Sequence, residues 1–237
     1  MDYNEIAYSY ISEERIKHPF RKKAYQEWLL ECNKVSWKRA LDLGCGGGIS
    51  TRFLAKIGYF EKIIGIDNSE KLVKEALKDE FNFPLGIDYC IKDIFLDWEN
   101  VFSPDYIFDL IASFAVFHYA DSEKQLENLF IGVNRITSQS SRLISVLLDP
   151  EEPVRELIQN ASSYSRWIDS PFQNGSKIET TLLGSDGQEI CKLENFYWPK
   201  SVYERLLGNC GFPYIEWKKP EYIGKMGLVL LTARKGS

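Results

Sequence analysis

Gly44, Gly46, Gly47 and Gly48 fall within five residues, directly after the run Ala40, Leu41, Asp42 and Leu43. Glycines this close together let a backbone turn sharply and let a ligand approach without Cβ atoms in the way. Roughly 20 residues further on, Asp67 ends the apolar run Ile63-Ile64-Gly65-Ile66, the place where an acid commonly takes ribose hydroxyls. A carboxylate suits a vicinal diol because it accepts two hydrogen bonds at once. Capping of the next helix, the other use for an acid here, falls better to Ser69. Asp93 follows a third apolar run, Tyr89-Cys90-Ile91, and reads either as a ligand-facing acid or as an ordinary loop Asp. A fourth run, Phe108 to Phe117, leads into His118, whose unperturbed pKa suits proton removal at neutral pH or whose ring packs. Tyr119 and Tyr10 are weaker alternatives for that task.

These residues need a scaffold that delivers them to one edge. Strands are expected near 39–43, 62–66, 86–91, 106–113 and 142–148, and helices near 49–58, 70–80 and 122–136. Ile49, Phe53, Leu54 and Ile57 share a face at helical spacing, as do Leu126, Leu129, Phe130, Val133 and Ile136. Asp121 or Ser122 caps the latter helix. Residues 97–101 read only as a turn. Alternating strands and helices imply a parallel sheet with its ligand at the carboxyl ends of the strands.

Residues 149–198 exceed that minimal plan. A breaker, Asp149-Pro150-Glu151-Glu152-Pro153, precedes a short helix with Val154, Leu157, Ile158 and Ala161 on its face. Residues 176–183 and 189–196 read as a hairpin around Gly184-Ser185-Asp186-Gly187. An insertion of this size is expected to form a lid or a binding wall. Tyr164, Trp167, Phe172, Phe196, Tyr197 and Trp198 line a pocket there or form the insertion's own core. A helix over 199–210 and strands at 212–217 and 227–233 complete the chain. Before the first strand, a helix opening at His18-Pro19 buries Phe20, Ala24, Trp28 and Leu29.

The dinucleotide pattern G-x-G-x-x-G/A fails, because the sixth position from Gly44 is Ile49. Asp42-Leu43-Gly44-Cys45-Gly46-Gly47-Gly48 instead resembles the first motif of the class I S-adenosylmethionine-dependent methyltransferases, and the later landmarks follow in order over residues 40–148. The resemblance, closest to small-molecule enzymes of the toxoflavin-synthase type, implies an α/β, Rossmann-like fold. Its mostly parallel seven-stranded sheet has an antiparallel last strand, helices on both faces and a cap inserted between strands 5 and 6. It implies one domain over 1–237, with 1–37 lying over the cofactor and 149–198 capping the substrate. S-Adenosyl-L-methionine is the cofactor it implies, bound by Asp42, Gly44, Cys45, Gly46, Asp67, Asn68, Leu72, Asp93, Ile94 and Ser113. Tyr10, in Tyr3 to Tyr10, resembles a tyrosine that folds over the donor, although an amphipathic helix explains the segment equally. Arg21 resembles an arginine that meets the donor's carboxylate, with a solvated face shared with Lys22 and Lys23 as the alternative. His118 is the expected catalytic residue, if one is needed.

A net charge of −5 argues against a protein that grips nucleic acid. The expected partner is a small-molecule acceptor methylated at N or O. Rival readings are a methyltransferase of RNA or protein, and a silent donor-binding module. No run reaches the roughly 18 apolar residues of a membrane span. Met1 to Glu5 is unlike a signal peptide, and five dispersed cysteines suggest reduced thiols in a cytoplasm without structural zinc. No metal site is expected from two histidines. Oligomeric state is not legible.

Overall fold

The computed structural model describes residues 19–33, 37–57, 60–96, 98, 102, 106–156, 163–184 and 186–236, with side chains from Lys22 onward. The expected segment before residue 19, including Tyr10, lies outside the described residues. Strands β1 (Arg39–Leu43), β2 (Lys62–Asp67), β3 (Ile87–Ile91), β4 (Phe108–Phe114) and β5 (Thr137–Leu148) run parallel. With β9 (Tyr214–Lys218) and β10 (Leu228–Arg234) they form one sheet in the order β3-β2-β1-β4-β5-β10-β9. β10 is antiparallel to both neighbours. The order reverses between β1 and β4, which opens a crevice beyond their carboxyl ends.

Both faces of the sheet are buried, so its central strands are almost continuously apolar. On one face, α1 (Pro19–Cys32), α2 (Ile49–Ile57), α3 (Glu70–Asn82) and α6 (Glu221–Lys225) supply Trp28, Leu54, Val73 and Ile223 to a core with Leu110, Ile144 and Leu230. On the other, α4 (Glu123–Arg135) and α5 (Lys200–Asn209) pack Leu129, Phe130 and Leu207 against Leu41, Ile111 and Leu143. Ser69 and Ser122 cap α3 and α4 by accepting the N–H groups of Leu72 and Gln125. Asp109 pins the start of β4 to β1 by accepting both Lys38 N–H and Arg39 N–H at 2.9 Å.

The segment between β5 and α5 carries a second, three-stranded antiparallel sheet: β6 (Ser163–Trp167), β7 (Lys177–Leu183) and β8 (Glu189–Phe196). The hairpin β7-β8 matches its turn signal. β6 and α6 are additions to the elements expected from sequence, and β6 owes its form to pairing with β7. Residues 153–156 are irregular where a helix was expected, and 157–162 lie outside the described residues. Trp167, Phe172 and Tyr197 cluster with ring centroids 5.2–5.6 Å apart, off the cavity wall, with Tyr197 buried, Trp167 half-buried and Phe172 exposed. Trp198 joins the main core and donates its indole N–H to Ala120 O at 2.9 Å.

Candidate active site

The crevice is a cavity of about 600 Å3 that begins at the glycine turn. Gly44 has φ +66°, and a Cβ there would lie 2.5 Å from Val116 Cγ2. A Cβ on Gly48 would lie 2.6 Å from the Tyr89 hydroxyl. Glycine is therefore needed at both places, by backbone angle and by space. The turn is locked from its neighbour strand: Cys45 N–H donates to Ile66 O at 3.0 Å and Gly46 N–H donates to Asp67 Oδ2 at 2.9 Å.

Asp67 stands on the cavity wall with Asn68 and Leu72. Its Oδ1 accepts Ser69 N–H at 2.8 Å. Burial pushes the Asp67 carboxyl above its ordinary pKa, against the stabilising backbone donors. Asp93 faces it from the next loop, where Oδ1 accepts Phe95 N–H at 2.8 Å and Oδ2 lies 3.4 Å from Asn68 Nδ2. Ile94 and Phe95 extend this wall.

Phe114 and the turn Ala115-Val116 form the cavity's floor. Ala115 holds φ +63°, unusual outside glycine, and its N–H donates to Val146 O at 2.7 Å. Phe114 stacks on Tyr25 of α1, with centroids 4.2 Å apart. Arg21 lies one turn earlier on that helix, and its side chain is outside the described residues. The far wall comes from Tyr119, Asp121 and Gln125, and from Gly175, Lys177, Glu194 and Phe196 of the small sheet and its approach.

The structure thus brings Gly44, Gly46, Asp67, Asn68, Leu72, Asp93 and Ile94 to one cavity. Four other expected residues do not line it. Asp42 is buried beneath the turn, where Oδ2 accepts the hydroxyls of Ser50 at 2.6 Å and Thr51 at 2.7 Å. Its Oδ1 has no partner among the described residues, and burial pushes its pKa up to about 7. The Cys45 side chain packs into the core with Tyr89, and burial raises its thiol pKa. Ser113 is opposite Ser145 in the β4–β5 register, and their hydroxyls bond at 2.7 Å.

His118 is the main correction. It is buried, and its Nδ1 accepts Leu148 N–H at 3.1 Å. Desolvation drives its pKa down to about 3. The Nδ1 lone pair is thus engaged, and the ring stands off the cavity wall. Sequence reading left Lys92, Phe114, Gln125, Lys177 and Glu194 unremarked; of the six insertion aromatics it named, Phe196 lines the cavity.

Residues 41–145 match the methyltransferase domain family. Trans-aconitate 2-methyltransferase of Variovorax paradoxus is 28% identical over 192 residues, covering 79% of this chain and 66% of that protein. The chain spans about half to two thirds of the length of the first curated relatives it matches. An S-adenosylmethionine-dependent methyltransferase from Clostridium acetobutylicum superposes with TM-score 0.68 at 17% identity, covering 99% of each chain. N-methyltransferase NodS from Bradyrhizobium japonicum, solved with S-adenosyl-L-homocysteine, gives 0.64 at 14% identity, covering 100% of this chain and 99% of that one. The matched residues are the strands and turns that build the cavity's first half, so this part of the chain matches a methyltransferase domain, and the fold is shared end to end with solved methyltransferases.

Proposed function

We propose that the protein transfers a methyl group from S-adenosyl-L-methionine to N or O of a small-molecule acceptor. One observation carries this reading: a nucleotide-type glycine turn and the inserted small sheet wall a single cavity. The residues present fit the donor. The Gly44–Gly48 turn has no room for a Cβ at Gly44 or Gly48 and sets Gly44 and Gly46 on the cavity wall, and Asp67 and Asp93 offer carboxylates to a ribose diol and an adenine amine. When bound, the donor supplies a methyl carbon already activated by a sulfonium. The chain's task is to hold, orient and exclude water. Tyr10 and Arg21 belong to this proposal as further donor ligands.

The small sheet and its approach act as the acceptor's cap, and the fold works as one domain. Tyr119 is the cavity-wall phenol that we assign to orienting the acceptor. No described helix is long and apolar enough to cross a membrane. Five free cysteines fit a reducing, cytoplasmic setting. A net charge of −5 and a walled cavity favour a small acceptor over RNA or protein. Calorimetric titration with S-adenosylmethionine, with NAD in parallel and Asp67→Ala as control, tests the reading. Donor binding lost in the variant supports it, and preference for NAD or no donor binding overturns it.

A further inference from the structure

The two ends of the cavity carry different charged groups, and the acceptor end identifies a chemistry. Among the described residues, the charges there are Asp121, Lys177 and Glu194. Lys177 Nζ lies 3.3 Å from both oxygens of Glu194 and 5.8 Å from the Phe196 ring centroid. The pair cancels, leaving Asp121 as the uncompensated charge. Its backbone N–H is fixed by Gln125 Oε1 at 2.9 Å, while its exposed carboxylate makes no ion pair among the described residues. Lys92 adjoins Asp93 at the donor end.

Lys177 is itself informative. The chain's own ammonium already rests against a carboxylate and an aromatic face in this corner, the two partners that recognise organic cations. An acceptor rich in carboxylates would meet Asp121 and Glu194 with the nearby lysine already engaged. An acceptor amine would meet two carboxylates and an aromatic wall. Register explains why this corner is built into the cap: Lys177 pairs with Phe196, and Glu179 with Glu194, so all four share one face of the small sheet.

We propose that the acceptor is a small molecule carrying an amine, bound as its ammonium form by Asp121 and Glu194, with its apolar part against Phe196 and Tyr119; the ammonium releases one proton to solvent past the exposed Asp121, and the freed nitrogen lone pair takes the methyl as the C–S bond breaks and S-adenosylhomocysteine leaves. The proposal rests on the methyl-transfer reading and names the substrate class of that site.

Two probes of matched size and opposite charge, phenethylamine and phenylacetate, test it, with trans-aconitate as a polycarboxylate. Each is titrated calorimetrically at low salt into protein saturated with S-adenosylhomocysteine, and each is assayed as acceptor with S-adenosylmethionine. The expected result is amine binding about tenfold tighter than either carboxylate. Asp121→Asn and Glu194→Gln each weaken amine binding by roughly fivefold and leave S-adenosylhomocysteine affinity unchanged. Lys177→Met frees Glu194 and tightens amine binding. Equal affinities, preference for a carboxylate, or amine binding unmoved by both acid substitutions would overturn the proposal. Absence of donor and product binding removes the methyl-transfer reading itself. Intact donor binding with a carboxylate preference removes only the assignment of the amine.

Discussion

Asp67 Oδ2 accepts the backbone N–H of Gly46 at 2.9 Å, so the acid that ends β2 also holds the turn that ends β1. Its other oxygen takes Ser69 N–H at 2.8 Å. Asp67→Ala therefore removes the proposed donor contact and a turn restraint together. Donor affinity is expected to fall by at least about 100-fold by calorimetry. Asp67→Asn keeps one acceptor oxygen and is expected to lose about tenfold.

Gly44→Ala brings a methyl to 2.5 Å from Val116 Cγ2 at a backbone angle of +66°. Crowding and strain together are expected to cost about 2 kcal/mol in chemical denaturation. Val116 is also on the cavity floor, so donor binding is expected to vanish from calorimetric traces.

Two helix glycines separate space from propensity. A Cβ on Gly132 would lie 2.0 Å from Trp98 Cδ2, whereas one on Gly208 meets nothing within 4 Å. Gly132→Ala is expected to destabilise by about 2–3 kcal/mol. Gly208→Ala is expected to stabilise by about 0.5 kcal/mol. Trp98 donates its indole N–H to Ile94 O at 2.6 Å, so Gly132→Ala is also expected to weaken donor binding through Ile94. Denaturation curves of both variants against the parent check the first contrast, and a donor titration checks the second.

Asp42 and His118 oppose each other in acid. The folded state holds the Asp42 proton more tightly, since burial raises its pKa from 3.8 to about 7, so stability falls as pH rises through that interval. The folded state holds the His118 proton less tightly, since burial lowers its pKa from 6.5 to about 3, so stability falls as pH drops through that interval. In the overlap the two slopes, each up to about 1.4 kcal/mol per pH unit, offset one another. Asp42→Asn is expected to leave a protein that loses stability on acidification from pH 6.5 to 4.5. His118→Gln, which retains an acceptor for Leu148 N–H, is expected to gain stability over the same range relative to the parent. Melting temperatures of the three proteins across that range test both signs.

Much of the fold was written locally. The apolar runs of β1, β2 and β3, the glycine turn and the caps Ser69 and Ser122 are short-range signals, and the elements start and stop where those signals lie. Asp67 and Asp93 reach the cavity because each stands just at or beyond a strand's carboxyl end, where the chain must leave the sheet. The sequence by itself thus determined the sheet, its crevice and the acids that rim it.

Tertiary structure decided where the other side chains went. A strand covered on both faces has no alternation, so nothing in Phe108 to Phe114 tells whether Ser113 meets the crevice or Ser145. The N–H that the His118 ring accepts comes from Leu148, thirty residues away, a partner that no local pattern announces. The acceptor wall is assembled from Tyr119 and Gln125 on one side and Lys177, Glu194 and Phe196 on the other. That meeting depends on how the inserted sheet packs against residues 117–119, and contacts between segments so distant in sequence leave no periodicity in either one.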